Sequence, residues 1–231
     1  YMGKIENLDF KKNSLRKINS FLQNIDYKNN KREFVIKNPN GEHAICAGLK
    51  EDIHVKINGH VGYYCGGMNQ QAKIHIYGSV GPGVGENMMS GQIIVEGDAS
   101  QYAGATGHGG LLLIKGNASS RCGISMKGIE IIVMGNIGHM SAFMAQSGNL
   151  VVLGDASDGL GDSIYEANIF VRGQVKGLGA DCIEKDMRLE HINTLERLLL
   201  TANCDVDSKN FRRYGSARSL YNFKVDNLNS Y

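Results

Sequence analysis

Seven times in this chain a strand-like run ends in glycine, and each of these glycines lies 19 residues after the one before it. They are Gly59, Gly78, Gly97, Gly116, Gly135, Gly154 and Gly173, closing runs such as HVKING, IIVEG and IFVRG. Equal intervals of this kind define a repeat whose single unit buries little by itself and gains a core only by stacking on its neighbours. Two residues before the glycine stand Ile57, Ile76, Val95, Ile114, Val133, Val152 and Val171. Four before it stand Val55, Ile74, Ile93, Leu112, Ile131, Leu150 and Ile169. A period of two marks a strand with one buried face.

The turns carry columns of their own. Seven residues after the repeat glycine come Gly66, Gly85, Gly104, Gly123, Ala142, Gly161 and Ala180. Two after it come Val61, Val80, Ala99, Ala118, Ile137, Ala156 and Val175. Small residues at a corner answer either a backbone φ above zero or the close approach of another chain segment. The pattern predicts a mainly β fold, a right-handed parallel β-helix of about seven 19-residue coils. At ~4.8 Å per coil the stack is on the order of 34 Å tall.

The ends read differently. Asn13 or Ser14 is placed to cap a helix carrying Leu15, Ile18, Phe21, Leu22 and Ile25 on one face. FVIKN at 34–38 reads as a degenerate first coil. After the last coil, DCIEKDMRLEHINTLERLLLTAN reads as one amphipathic helix, with Asp181 and Glu184 as a capping box and Asn203 as its stop. Its apolar stripe is Met187, Ile192, Leu195, Leu198 and Leu199. The expected organisation is an N-terminal helical segment and lead-in strand over 1–40, the β-helix over 41–183, and a C-terminal helix with a basic, aromatic tail over 184–231.

Composition excludes several classes of function. A net charge of +2 over 231 residues gives no electrostatic case for nucleic acid or an anionic membrane. No apolar run reaches the ~20 residues that span a bilayer. The opening stretch has no apolar core of a secretory signal, so none is expected. Five cysteines without a CxxC pair fit reduced thiols in a cytoplasm.

The chemical candidates thin out one by one. Gly81-Pro82-Gly83-Val84-Gly85 resembles a phosphate loop, but it opens no helix and ends in no G-K-S/T. It reads as a solenoid corner. His54, His60, His75, His108 and His139 share no register, and only His54 and His75 are placed as diagonal neighbours on adjacent coils. Cys65 and Cys122 share a column three coils apart, roughly 14 Å, beyond disulfide reach. The residues just after the repeat glycine are His60, Ser79, Asp98, Asn117, Asn136, Asp155 and Gln174. Asp98 and Asp155 stand as far apart as the two cysteines, too far for the ~5–9.5 Å of a glycosidase pair. The column reads instead as a ladder of side chains bonding turn amides. Gly107-His108-Gly109-Gly110 resembles a lipase oxyanion loop, but no G-x-S-x-G elbow accompanies it. No catalytic, cofactor-binding or metal-ligating residue is assigned.

One outward column does ask for a partner. Three residues before the glycine, polar Lys56 and His75 give way to Ile94, Leu113, Ile132, Val151 and Phe170. A strand apolar on both faces is covered on both. The cover is either one of the chain's own terminal helices or a partner protein. The tail residues Arg212, Arg213, Tyr214, Arg218 and Tyr221 belong to the types enriched at binding hot spots, and form the second candidate surface.

With these columns in hand, segments such as IHVKINGHVGYYCGG and IIVEGDASQYAG resemble the GXGXG domain, the β-helix at the C-terminus of the glutamate synthase large subunit. The likeness covers about residues 41–183. FRRYGSARSLYNFKVDN resembles the tail of stand-alone versions in N-methylglutamate synthase-type enzymes and split archaeal glutamate synthases. Formylmethanofuran dehydrogenase has a similar helix in one of its subunits. The resemblance implies a non-catalytic subunit that holds amidotransferase and flavin synthase subunits together. FMN and the iron–sulfur cluster would then belong to those partners. A formylmethanofuran dehydrogenase-type scaffold, a stand-alone esterase and a self-associating homo-oligomer are the alternatives.

Overall fold

The structure is a computed structural model that describes residues 6–25 and 32–218. The 19-residue interval becomes a vertical register. Strands β3 (His54–Asn58), β4 (Lys73–Ile76), β5 (Gln92–Val95), β6 (Leu111–Ile114), β7 (Lys127–Val133), β8 (Ser147–Val152) and β9 (Asn168–Val171) pair in parallel, each with the next. Ile57 stands on Ile76, Ile76 on Val95 and Val95 on Ile114, and the column continues to Val171. Both aliphatic columns are buried along their whole length. FVIKN does form a first rung: β2 (Glu33–Lys37) pairs in parallel with β3, Phe34 against Val55, 21 residues on. A short β1 (Glu6–Asp9) pairs with β2 in the same sense. The result is a parallel β-solenoid of about seven turns with two α-helices among the described residues.

A second wall is a ladder of single parallel bridges from Val61 through Val80, Ala99, Ala118, Ile137 and Ala156 to Val175. The third wall is built otherwise. In six successive coils the residues five, seven and nine places after the repeat glycine have φ between +51° and +75°. Their amides point alternately up and down the stack. Tyr64 N–H donates to Pro82 O on the next coil (2.8 Å), Gly85 N–H to Cys65 O on the previous one (2.9 Å), and Met68 N–H to Glu86 O on the next (2.8 Å). Left-handed backbone costs an L residue roughly 1–2 kcal/mol. Here it is offset by backbone bonds between coils, and Tyr102, Thr106, Arg121 and Met140 adopt it while each donates its N–H to a carbonyl of the next coil.

The lower end of that wall is plugged by α1 (Leu15–Gln23), whose N-cap is Ser14. Asn19 Nδ2 donates to Ala44 O (2.8 Å), while its Oδ1 accepts from Cys46 N–H (3.0 Å). Ile18 and Leu22 seat the helix on the core, and Phe21 stays partly exposed.

The C-terminal segment departs from expectation. Asp181 does not cap a helix. It sits at φ +63° before a strand, β10 (Cys182–Lys185). The helix α2 begins later, at Leu189, and runs to Thr201. His191 Nδ1 accepts from the Arg188 N–H at its start (3.2 Å). Asn203, left-handed at φ +53°, follows its end as expected. The tail then returns as β11 (Arg212–Ser216), which lies antiparallel between β9 and β10. The boundary expected at 183/184 therefore cuts through β10. Aperiodic sequence hid this strand because it is satisfied by neighbours on both sides rather than by a repeating face.

Candidate functional site

Every second side chain of the sheet points outward, and the outward column changes character along the stack. Lys56 is exposed, and His75 and Ile94 are half-buried. Leu113 is buried, and Ile132, Val151 and Phe170 are buried completely. The cover is α2. Leu195, Leu198, Leu199 and Ala202, joined by Phe211, close over Leu111, Leu113, Ile132, Val151, Leu153 and Phe170 as a second apolar core. Arg197 clamps the helix to β7 through both oxygens of Glu130, at 2.5 and 3.1 Å. Of the two covers the stripe could have, it has the chain's own helix. Leu113, Ile132, Val151 and Phe170 are thus withdrawn as a partner surface, and Ile94 is left at the margin.

The tail candidates are also reassigned. Arg213 and Tyr214 are buried in β11. Arg213 Nε donates to Asp186 O (3.0 Å) and Nη1 to Asn168 Oδ1 (3.1 Å). Burial raises the Tyr214 phenol above its usual pKa. Arg212, half-buried, donates from Nη2 to Gly173 O (3.0 Å) and lies over the Tyr214 ring at 6.0 Å. These side chains resemble hot-spot residues because they close a sheet, where aromatic area and multiple donors are equally useful. Arg218 is exposed and bonded to Asp181, its Nε at 3.2 Å. Tyr221 lies outside the described residues.

The two glycine columns answer different demands. Gly66, Gly85, Gly104, Gly123 and Gly161 occupy left-handed positions of the third wall. Among the repeat glycines only Gly59 has a positive φ, +138°. Gly78, Gly97, Gly116, Gly135, Gly154 and Gly173 stack amide on carbonyl instead. A Cβ on Gly78 would lie 2.6 Å from the Gly59 carbonyl, and one on Gly173 would lie 2.3 Å from Gly154 O.

Beside that ladder runs a second one, made of side chains. His60 Nδ1 accepts from Ser79 N–H, and Ser79 Oγ from Asp98 N–H. Asp98, Asn117, Asn136 and Asp155 continue it, each Oδ1 accepting from the N–H one coil above at 2.7–2.9 Å. Both aspartates are engaged in structure.

The thiols are withdrawn from chemistry by burial, which pushes Cys65 and Cys122 up to about 12. Cys46, one repeat before Cys65, belongs to the same column. Its coil lacks the repeat glycine, so the pattern in the sequence does not reach it. His54 is exposed. His75, diagonal to it, bonds Glu96 and stacks on Tyr77 with ring centroids 4.2 Å apart. Among the described residues no group of three His, Cys, Asp or Glu could hold a metal ion. None of the described helices is long and apolar enough to cross a membrane.

What remains open is the outward face of the sheet before α2 begins to cover it. His54, Lys56, Lys73, His75, Gln92 and Ile94 line a shallow groove of about 190 Å³ there. The polar start of the outward column, Lys56 and His75, was the signal for it in the sequence.

Comparison with known proteins adds two findings. The family model described as GXGXG motif matches residues 9–203. A curated relative, Protein GlxC of Rhizobium meliloti (strain 1021), is 60% identical over 225 residues, covering 97% of this chain and 99% of that protein.

Proposed function

The chain belongs to the GXGXG motif family, and from that premise we propose that it is a non-catalytic structural subunit of a glutamate synthase-type assembly, holding a glutamine amidotransferase subunit and a flavin synthase subunit. The observation that carries this reading is how the repeat uses its polar groups. The column that could have supplied acids and bases accepts backbone N–H groups from coil to coil. A stack stapled in this way on two glycine-rich walls is a stiff post. Stiffness is what a spacer between two catalytic subunits needs, because reacting centres must be held in fixed relation. In this reading FMN and the iron–sulfur cluster belong to the synthase partner, the chemistry of the whole is that of an oxidoreductase, and the assembly works in the cytoplasm.

The test is reconstitution. The chain is co-expressed with the amidotransferase and flavin synthase subunits, and complex formation and glutamine-dependent glutamate synthesis are followed. The expected result is a ternary complex that falls apart and loses coupled synthesis when this chain is left out. Turnover of glutamine, glutamate or 2-oxoglutarate by the purified chain alone would refute the reading. So would ester cleavage lost on Ser or His substitution, or capture of methanofuran-enzyme subunits in place of these two.

A further inference from the structure

The outward face of one sheet is apolar and covered over β6–β9, yet open and mostly polar over β2–β5, where the outward column holds half-buried Val35 and Ile94 on either side of Lys56 and His75. On β3, His54 and Lys56 are exposed, as are Lys73 on β4 and Tyr77 just after it. Parallel pairing sets His54 beside Lys73, and Lys56 beside His75. The charges are not balanced. Glu96 is already taken by His75 and Lys115. Lys56 and Lys73 have no ion pair among the described residues, and Glu33 on β2, paired in register with His54, is an exposed carboxylate on the same face. Tyr77, 47% exposed, and half-buried Val35 and Ile94 give this cationic field apolar points.

We propose that the bare face over β2–β5 docks one subunit of the assembly, through a surface presenting carboxylates around an apolar side chain. This rests on the subunit reading above and names the surface that reading needs. Three arguments select the occupant. The face is a row of parallel strands with a shallow groove, a shape that suits a protein surface better than an enclosed small molecule. A two-fold contact with a second copy through this face would set lysine against lysine, which disfavours self-association here. A nucleic acid is a poorer match, because the cations are few, Glu33 lies among them, and the whole chain carries only +2. Apolar side chains ringed by charge have the composition of a docking surface whose association is steered electrostatically.

The experiment uses the full chain, with each candidate subunit tested separately by capture and by light scattering. Lys56→Glu with Lys73→Glu is compared with the wild type. The milder pair Lys56→Gln with Lys73→Gln is the second variant, and thermal unfolding verifies the fold of both. Leu189→Asp with Leu200→Asp, on the exposed side of α2, is the control. The expected result is one subunit held by the wild type and by the α2 control. Its affinity falls at least about tenfold in the Glu pair and less in the Gln pair, and the wild-type complex weakens as salt rises. A Glu pair that folds and binds as tightly as the wild type overturns the docking face while leaving the subunit reading intact. Loss of binding only in the α2 control does the same, as does a homodimer or a nucleic-acid complex broken by the Glu pair. Capture of neither subunit by the wild type overturns the subunit reading and the docking face with it.

Discussion

The two ends of one sheet face are built from the same coil and differ in their outward columns, most sharply in the central one. At the lower end the outward residue is Lys56 or His75; at the upper end it is Val151 or Phe170. The inward columns do not change, and they are buried at both ends alike. Fold and function are therefore carried by different faces of the same strands. The inward face makes a solenoid, and the outward face decides what lies on it. Where the outward face is aliphatic, α2 lies on it and completes a second core. Where it is charged, covering it would desolvate lysines with nothing to pair them, at a cost of several kcal/mol each.

The comparison is broken most directly by exchanging its chemistry. Val151→Asp puts a carboxylate under α2 and should cost more than about 4 kcal/mol, or prevent folding. Lys56→Asp, in the same column five coils earlier, should stay within about 0.5 kcal/mol. Urea unfolding measures both, and equal losses would show that α2 shields nothing. Truncation tests the same contrast more gently. Phe170→Ala should cost about 3–5 kcal/mol, and Tyr77→Ala on the open half no more than about 0.5.

A third pair should show no contrast, since the glycine ladder runs through both halves. Gly78→Ala brings a Cβ to 2.6 Å from the Gly59 carbonyl, and Gly154→Ala brings one to 2.6 Å from Gly135 O. Each should cost about 1–3 kcal/mol by overpacking against backbone. A melting temperature that falls in one variant only would mean that the walls differ as well as the outward face.

The smallest effect is electrostatic and lies just past the end of the boundary strand β5. Lys115 and His75 hold the Glu96 carboxyl below the usual carboxylate range. A pKa lower in the folded chain stabilises it above that range, and the gain is lost as acid protonates the group. Glu96→Gln should flatten the acidic limb of the stability profile by a few tenths of a kcal/mol, because solvent screens the pair. An unchanged limb would show that the pair adds nothing.

The repeat was legible in the sequence because it is a local rule applied many times. Strand length, inward aliphatics, the amide-bonding column after each glycine and the stacking itself all follow from one coil's requirement to match the next. The amphipathic faces of α1 and α2 were legible for the same reason, from Ile18 and Leu22 or Leu195, Leu198 and Leu199 at helical spacing. Other features depend on residues distant in sequence. Nothing local tells Leu198 that it will meet the aliphatic stripe of β6–β9, or tells Arg213 that Asn168 and the Asp186 carbonyl will receive it. The left-handed wall is another case, since Thr106 and Met140 adopt a costly backbone only where a carbonyl of the next coil accepts their N–H. Sequence alone determined that coils must stack, since each buries too little by itself. Tertiary structure decided which face stays bare, because that depends on where a single non-repeating helix comes to rest.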